Sequence, residues 1–352
     1  MTVERLFNRC LLRPEDLEPS REDFRVIGAF NPGAARCGDE IVLMVRVAEA
    51  PAEQREGMTG LPRWTTDGTL TVDWLPDEAL ALRDPRMVRV LDSGTLRLTF
   101  VSHIRIYTSP HGRAFEPPEV ARFEPRTELE TYGVEDPRIV PIGDEFYVTY
   151  VAVSQHGAAT ALATTADFRT FRRHGVIFCP ENKDVVLFSR RIGGRLTALH
   201  RPNPSLHFSP PGIWLADSDD GLHWGGHRPL HAGSAEWETG RIGAGTPPIE
   251  TERGWLEIYH GASAPTEDTG VGVYSAGALL LARDEPAEVL GRSAEPVLRP
   301  EEDFETAGFV SSVVFPTGIV PLEDTFLLYY GAADTNTAVV ELSREELMAS
   351  IT

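Results

Sequence analysis

Five short segments of this chain share one local pattern, and that pattern restricts the possible folds more than any other feature. Each segment begins with a turn signal, continues through five or six apolar or alternating residues and ends in a polar or small residue. The segments are GDEIVLMVR (38–46), GDEFYVTYV (143–151), GGRLTALHR (193–201), RGWLEIYHG (253–261) and EDTFLLYYG (323–331). We interpret each one as the return strand of a β-hairpin.

A candidate first strand precedes each of these turns. The first strands begin with FNPGAA at 30, EDPRIV at 135, NKDVVLF at 182, GTPPIE at 245 and FPTGIV at 315. The strand–turn–strand unit recurs roughly every 50 to 70 residues, apart from a larger first gap. That period is typical of a propeller blade, and a ring of blades leaves few open sheet edges. The sequence therefore predicts an all-β protein, a five-bladed β-propeller forming a single domain over residues 1–352.

Two further segments bear on this prediction. Residues 50–95 interrupt the first unit, and we interpret them as an insertion in the first blade. The segment GTLRLTFVS (94–102) also resembles a strand, so a sixth blade is the alternative. Near the end of the chain, Ser343 and Glu346 have the spacing of a capping box, which predicts a short C-terminal helix.

Composition excludes several classes of function. With 53 acidic and 33 basic residues the formal net charge is −20, which disfavours nucleic acid and anionic membranes as partners. The chain has no signal-peptide pattern and no run of about 18 apolar residues, so we expect a cytoplasmic protein. Its three cysteines and ten histidines show no disulfide or metal-ligand spacing. We therefore expect no metal and no cofactor.

Polar residues recur where the two strands of each hairpin should meet. A hairpin brings the start of its first strand next to the end of its second, so equivalent positions of all units should gather on one face. Charged residues in apolar strands are costly unless they are paired or solvated, which predicts a shared polar cavity. The positions are Asn31 with Arg46, Asp136 with Tyr150, Lys183 and Asp184 with Arg201, Thr246 with His260, and Thr317 with Asp334.

This set suggests chemistry on a sugar. Cleavage of a glycosidic bond needs an acid for the leaving oxygen, together with a base for water or a nucleophile that is already charged. Asp136 is the candidate acid. Several cations around one point would bind a phosphate dianion, since charge-assisted hydrogen bonds from Arg and Lys are strong.

The motifs also resemble a known family. In order, FNPGAA, YGVEDPRI, ENKDVVLF, LHRP, RIGAGTPPIETERGWLEIYHGA, FPTG and YYGAAD resemble glycoside hydrolase family 130, the mannoside phosphorylases and related β-mannosidases. The resemblance spans roughly residues 25–345. It implies a five-bladed propeller with a central active site and inverting, exo-acting cleavage of β-mannosidic bonds. Phosphorolysis would use inorganic phosphate as co-substrate and give α-mannose 1-phosphate.

The same resemblance implies roles for individual residues. Asp136 would be the general acid, acting through a sugar hydroxyl. The substrate-binding residues would be Asn31, Arg46, Asp184, Asp334 and Tyr274, and the phosphate-binding residues would be Lys183, Arg201 and His260.

One position departs from the family pattern. Glu250 stands where the phosphorylases commonly carry lysine, and a carboxylate there would repel phosphate. Glu250 could instead be the general base of an inverting β-mannoside hydrolase. A sugar-binding propeller without catalysis is the third reading, because propellers host many functions.

Overall fold

The computed structural model describes residues 3–84, 86–203, 206, 208–266 and 271–352, and these are mostly short β-strands. The N-terminal strands are β1 (Arg5–Leu12), β2 (Phe24–Cys37), β3 (Glu40–Pro51), β4 (Met58–Trp64), β5 (Leu70–Pro76), β6 (Leu80–Asp84), β7 (Met87–Val90), β8 (Leu96–Leu98), β9 (Val101–Ser109) and β10 (Ala121–Phe123). The middle strands are β11 (Gly133–Ile142), β12 (Glu145–Ser154), β13 (Gly157–Thr165), β14 (Arg172–Phe178), β15 (Asn182–Leu187), β16 (Leu196–Pro202), β17 (Ile213–Ser218) and β18 (Gly225–His231). The C-terminal strands are β19 (Arg241–Ala244), β20 (Ile249–Thr251), β21 (Gly254–Ala262), β22 (Tyr274–Leu281), β23 (Val289–Arg292), β24 (Val314–Pro321), β25 (Thr325–Ala332) and β26 (Asn336–Ser343).

Helix is scarce in the described residues. The α-helices are α1 (Asp303–Thr306) and α2 (Arg344–Ala349), and neither is long or apolar enough to cross a membrane. Ser343 caps α2 as expected, its hydroxyl accepting a hydrogen bond from the Glu346 backbone amide at 3.4 Å. The Glu346 carboxylate accepts a hydrogen bond from the Glu4 amide, so it attaches α2 to the N-terminal segment.

In the described residues, most antiparallel strands belong to five runs. The runs are β2-β3-β9-β10, β11-β12-β13-β14, β15-β16-β17-β18, β19-β21-β22-β23 with β20 also on β21, and β24-β25-β26-β1. A parallel bridge between Gly133 and Ser102 joins the first two runs into one sheet. The last run contains strands from both ends of the chain, because β1 pairs with β26. The predicted all-β class is therefore confirmed.

The five predicted return strands are confirmed as β3, β12, β16, β21 and β25. The sixth candidate, at 94–102, is no separate unit. It covers β8 and the first residues of β9, and β9 is the third strand of the first run. Between β3 and β9, two small sheets form from β4-β5 and from β6-β7-β8.

The first strands of four runs carry a register shift at an equivalent position, at Thr317 in β24 and at a residue of positive φ in the other three. The pairing register shifts at Asn31 in β2, at Asp136 in β11 and at Asp184 in β15. Each of these three residues has positive φ, at 50°, 47° and 55° respectively. Asn and Asp tolerate this left-handed conformation better than other side chains, and a bulge redirects the side chain it carries. The bulges therefore direct an amide and two carboxylates out of the regular strand alternation.

The first strands of the runs lie against one another in chain order from β2 to β19. β2 contacts β11, β11 contacts β15, and β15 contacts β19, while β24 contacts β21, β22 and also β2. The contact between β24 and β2 includes a hydrogen bond from the Thr317 hydroxyl to the Pro32 carbonyl at 2.8 Å. The polar ends of these strands are therefore close in space.

A buried glutamate anchors the loop before three of the runs. Glu238 Oε1 accepts hydrogen bonds from the backbone amides of Ser234 and Ala235 at 3.0 and 3.1 Å. Its Oε2 accepts one from the Tyr259 hydroxyl at 2.8 Å, and Arg292 lies 3.2 Å from Oε1. The equivalent groups are Glu130, Tyr150 and Arg173 in the second run, and Glu305, Tyr330 and Arg5 in the fifth. Short ELET, EWET and DFET repeats mark these sites, a signal that the strand pattern alone did not reveal.

Loss of this anchor should destabilise the protein strongly. We expect Glu238→Ala to lower the free energy of unfolding by about 3–5 kcal/mol, because it leaves Arg292 and two amides without their buried partner. The control is Glu236→Ala, which alters an exposed glutamate of the same turn and should change stability by less than about 0.5 kcal/mol. Urea unfolding of the two variants measures the difference, and equal effects would contradict the anchoring role.

Candidate active site

A cavity of about 410 Å³ lies where the bulged strands meet. Its lining includes eight of the ten residues that the sequence proposed for the site. These are Asn31, Arg46, Asp136, Lys183, Asp184, Arg201, Tyr274 and Asp334. They come from all five runs of strands or the turns between them. The expected gathering of distant polar residues is therefore confirmed, whereas their individual roles stay predictions.

Asp136 lies in a dense network on one side of this cavity. Its Oδ1 accepts hydrogen bonds from Asn31 Nδ2 at 2.9 Å and from Arg46 Nη1 at 3.0 Å. Arg46 in turn donates to Glu135 Oε1 at 2.8 Å and to the Ser102 hydroxyl at 3.2 Å. The carboxyl of Asp136 is thus held in one position, facing the cavity.

Charge and burial have opposite effects on this carboxyl. Burial raises the pKa of Asp136, but the charges of Arg46, Arg138 and Lys183 outweigh it, so the pKa lies below its usual value. Asp136 is therefore ionised in the free protein. An anion bound beside Lys183 would offset that charge and raise the pKa of Asp136, which would favour the acid form.

Asp334 has the opposite balance. Burial raises its pKa to about 6, and the neighbouring Asp136 charge adds to that effect while Arg46 opposes it. Its φ of 47° places it in the turn between β25 and β26, directed at the same cavity. Below about pH 6 Asp334 is therefore mostly protonated while Asp136 is ionised, although the two carboxyls share one arginine.

This difference predicts a pH-dependent stability. The folded-state pKa of Asp334, about 6, exceeds the ordinary 3.8, so the folded protein binds the proton more tightly than the unfolded chain. The contribution of Asp334 to stability is thus fully present below pH 3.8 and is lost as pH rises through about 6. We expect Asp334→Asn, which cannot ionise, to be more stable relative to wild type at about pH 7 than at about pH 4. Thermal unfolding at both pH values tests this, and an unchanged difference would contradict it.

Cations dominate the other side of the cavity. Arg201 Nε donates to Asp184 Oδ2 at 2.5 Å, which fixes the guanidinium at the cavity wall. Burial raises the pKa of Asp184, but Arg201, His260 and Arg138 together hold it well below its usual range. Lys183 also lines this wall, and its ammonium makes no hydrogen bond or ion pair within the described part of the chain. The wall can therefore accept an anion.

Arg241 belongs to this wall and was missed from the sequence. It lines the cavity beside Tyr274, and among the described residues it also makes no hydrogen bond or ion pair. Burial raises the pKa of Tyr274, and the positive charge of Arg241 opposes that effect. Burial lowers the pKa of His260, and the charge of Arg241 adds to that effect. Arg241 begins the RIGAG string, but no equivalent arginine in other repeats drew attention to it.

The structure does not bring His260 to the cavity surface. The ring is fully buried behind Asp184, with Nε2 3.4 Å from Asp184 Oδ2. It stacks near Tyr274 and packs on Phe315, whose ring centroid is 4.3 Å away. Burial lowers the pKa of His260 to about 3, so the imidazole is neutral and adds no charge to the wall. The His260 ring therefore packs behind Asp184 and Tyr274 and does not line the cavity.

Glu250 lies outside the residues that line the cavity. Its carboxylate is exposed and pairs with Arg190, at 2.8 Å to Nη2 and 3.0 Å to Nε. Arg283 lies 3.6 Å away on the same surface, and the hydrogen bond from Arg190 lowers the pKa of Glu250. In this geometry Glu250 neither repels an anion in the cavity nor activates water there.

The chain matches proteins of known activity along most of its length. The family described as beta-1,4-mannooligosaccharide phosphorylase, glycoside hydrolase family 130, matches residues 97–352. A beta-1,2-mannobiose phosphorylase from Listeria innocua is 40% identical over 99% of this chain and 98% of its own. The beta-1,2-mannobiose complex of the Listeria innocua enzyme has a TM-score of 0.89 at 39% identity, covering 97% of this chain and 96% of that one.

Another curated relative is a 1,2-beta-oligomannan phosphorylase from a Thermoanaerobacter species. It is 39% identical over 63% of this chain and 72% of its own length.

An all-β scaffold that holds a fixed carboxyl opposite a cationic wall in one cavity has the groups that a carbohydrate-active enzyme cleaving glycosidic bonds requires. The matches give the family. The chain belongs to glycoside hydrolase family 130, so it is a glycoside phosphorylase or glycoside hydrolase of that kind.

Proposed function

We propose that this enzyme is an inverting, exo-acting phosphorylase of β-mannosides, with β-1,2-mannobiose as its first substrate. The observation that supports this most is the cationic wall formed by Lys183, Arg201 and Arg241. All three line the cavity that holds Asp136, and Lys183 and Arg241 make no hydrogen bond or ion pair to any described residue. A bound phosphate dianion would supply the negative charge that pairs with these cations. The near full-length match to a protein named beta-1,2-mannobiose phosphorylase favours that linkage over β-1,4.

The reaction assigns one task to each side of the cavity. A phosphate oxygen held by the wall attacks the anomeric carbon of the mannosyl unit as the bond to the leaving oxygen breaks. The proton carried by Asp136 passes to that leaving oxygen, through a hydroxyl of the sugar. Attack from the opposite face inverts the configuration and gives α-mannose 1-phosphate and a shortened sugar. Asn31, Arg46 and Asp334 hold the mannosyl unit.

A five-bladed propeller is the scaffold we infer for this site, with the inserted sheets in the first blade and the whole chain as one domain. Contacts run from β2 through β11 and β15 to β19, and the fourth run reaches β24 through β21 and β22, while β24 contacts β2; this cycle supports a ring. The pairing of β1 with β26 supports closure of the ring by strands from both ends of the chain. Five blades around one axis would account for a cavity that draws residues from every run of strands.

Hydrolysis is the competing activity, and one observation weakens it. An inverting hydrolase needs a carboxylate that activates water opposite the acid. Glu250, the residue the sequence suggested for this task, pairs with Arg190 outside the cavity lining. We therefore expect Glu250→Gln to retain phosphorolysis within about twofold, since a surface ion pair contributes little.

Incubation with β-1,2-mannobiose, with and without inorganic phosphate, tests the proposal. Phosphorolysis predicts equal amounts of mannose 1-phosphate and mannose with phosphate present, and no turnover without it. β-1,4-Mannobiose serves as the linkage control and should react more slowly. Mannose released at the same rate in phosphate-free buffer would overturn the proposal in favour of hydrolysis.

A further inference from the structure

Arg138 lies directly beneath the cavity and contacts three runs of strands at once. Its Nη1 donates to the Asp136 carbonyl at 2.8 Å, and its Nε donates to the Gly245 carbonyl at 2.6 Å. Its Nη2 lies 3.8 Å from Asp184 Oδ1. The side chain is only 2% exposed and does not line the cavity. Arg138 therefore cannot contact a substrate, but it contacts the residues that should.

The contacts of Arg138 connect the two sides of the site. On one side it holds the backbone of the bulge that presents the Asp136 carboxyl. On the other side it pairs with Asp184, the residue that fixes Arg201 at the cationic wall. The Arg138 charge also lowers the pKa of both Asp136 and Asp184, in each case against the effect of burial.

We propose that Arg138 is a positioning residue that couples the acid to the anion-binding wall, holding the Asp136 bulge and the Asp184–Arg201 pair at a fixed separation. The inference rests on the proposed phosphorolysis, in which proton donor and phosphate act on opposite sides of one bond. A small misplacement of a reacting group costs about 100-fold in rate. A residue that fixes the positions of both groups would therefore contribute to catalysis.

The shape of the guanidinium matters to this task. The planar guanidinium donates two hydrogen bonds in fixed directions and keeps Nη2 3.8 Å from Asp184 Oδ1. An ammonium on a flexible stem cannot hold the same three partners in fixed geometry. The face of the fork lies near the Phe315 ring, with the guanidinium carbon 5.7 Å from the ring centroid. Lysine at position 138 would keep the charge but lose the geometry.

Glu257 offers a matched control on the same network. Its Oε1 accepts a hydrogen bond from the Gly245 amide at 2.9 Å, so Gly245 lies between Glu257 and Arg138. Glu257 is fully buried, and burial raises its pKa well above the usual value. Glu257→Gln keeps that acceptor and should leave both kinetic constants unchanged.

The experiment compares Arg138→Lys, Arg138→Ala and Glu257→Gln with wild type in phosphorolysis of β-1,2-mannobiose. For Arg138→Lys we expect kcat to fall about 100-fold and the KM for phosphate to rise about tenfold. Guanidinium ion added to Arg138→Ala should restore part of kcat, which a purely structural role would not predict. Arg138→Lys with wild-type kcat and phosphate KM, or with lowered stability as its sole defect, would overturn the inference.

A second variant tests the coupling even where Arg138 variants fail to fold. Asp184→Asn removes the ion pair with Arg138 on the anion side and leaves the contact with Asp136 in place. If Arg138 couples the two sides, Asp184→Asn should lower kcat at saturating phosphate and also raise the KM for phosphate. A change in the KM for phosphate alone would overturn the inference. If the wild-type enzyme makes no mannose 1-phosphate, the proposed function is refuted. Calorimetric measurement of phosphate binding by the same variants would still test whether Arg138 and Asp184 maintain the anion-binding wall.

Discussion

Replacing Asp136 by asparagine should lower kcat for phosphorolysis by about 10²–10⁴-fold, the range that removal of a general acid produces. Asparagine keeps an oxygen that can accept the hydrogen bonds from Asn31 and Arg46, and it tolerates the φ of 47° at this bulge. It cannot deliver a proton. The loss should therefore appear in kcat, with mannobiose binding changed far less. Steady-state rates and calorimetric binding of mannobiose measure the two effects.

The control for this variant is Asp144→Asn, in the exposed turn between β11 and β12. It makes the same chemical change outside the cavity and should leave kcat within about twofold. An Asp136→Asn enzyme with near wild-type kcat would show that another group supplies the proton.

Replacing Gly243 by alanine should markedly weaken phosphate binding. A Cβ at Gly243 would lie 2.3 Å from Asp184 Oδ2 and 2.6 Å from His260 Cε1, far inside contact distance. Asp184 must then move, and Arg201 loses the partner that fixes it. We expect the KM for phosphate to rise at least about tenfold, the effect of losing one charge-assisted hydrogen bond. Phosphate-dependent initial rates measure it.

Gly225→Ala is the matched control for this substitution. Gly225 lies in β18, its φ is not positive, and a Cβ there meets no heavy atom within 4 Å. The control should have wild-type phosphate KM. If Gly243→Ala behaved in the same way, the link between Asp184 and anion binding would be wrong.

The convergence of the polar residues was predictable from the sequence because it follows from hairpin geometry. Asn31, Asp136 and Asp184 occupy the same place in three repeats, and Arg46 and Arg201 occupy the matching place on the return strands. Strand pairing alone then brings them together. The sequence pattern did not predict the bulges, at which Asn31, Asp136 and Asp184 leave the strand alternation with positive φ.

The placement of Glu250 outside the cavity lining has a specific physical cause. The chain leaves regular pairing between β19 and β20, over residues 245–248, so the strand alternation before this break does not fix the direction of side chains after it. Glu250 then meets Arg190 from a distant loop, and that pairing follows from tertiary structure alone. Motif similarity could locate the residue but not its direction.

The burial of His260 and Arg138 could not be predicted from the fact that both side chains are ionisable. Both are ionisable residues in the expected motifs, and both are buried behind the cavity. Whether an imidazole supplies charge or packing depends on its burial, which the sequence does not state. Arg241 is the converse case, since this arginine has no counterpart in the other repeats, yet it lines the wall and pairs with no side chain in the part of the chain that the structure describes.

A crystal structure of the enzyme with inorganic phosphate and β-1,2-mannobiose tests the two-sided cavity most directly. The account predicts a phosphate within hydrogen-bond distance of Lys183, Arg201 and Arg241, with a mannosyl unit between that anion and Asp136. A mannosyl unit bound in the cavity at saturating phosphate, with no anion at those three cations, would contradict it.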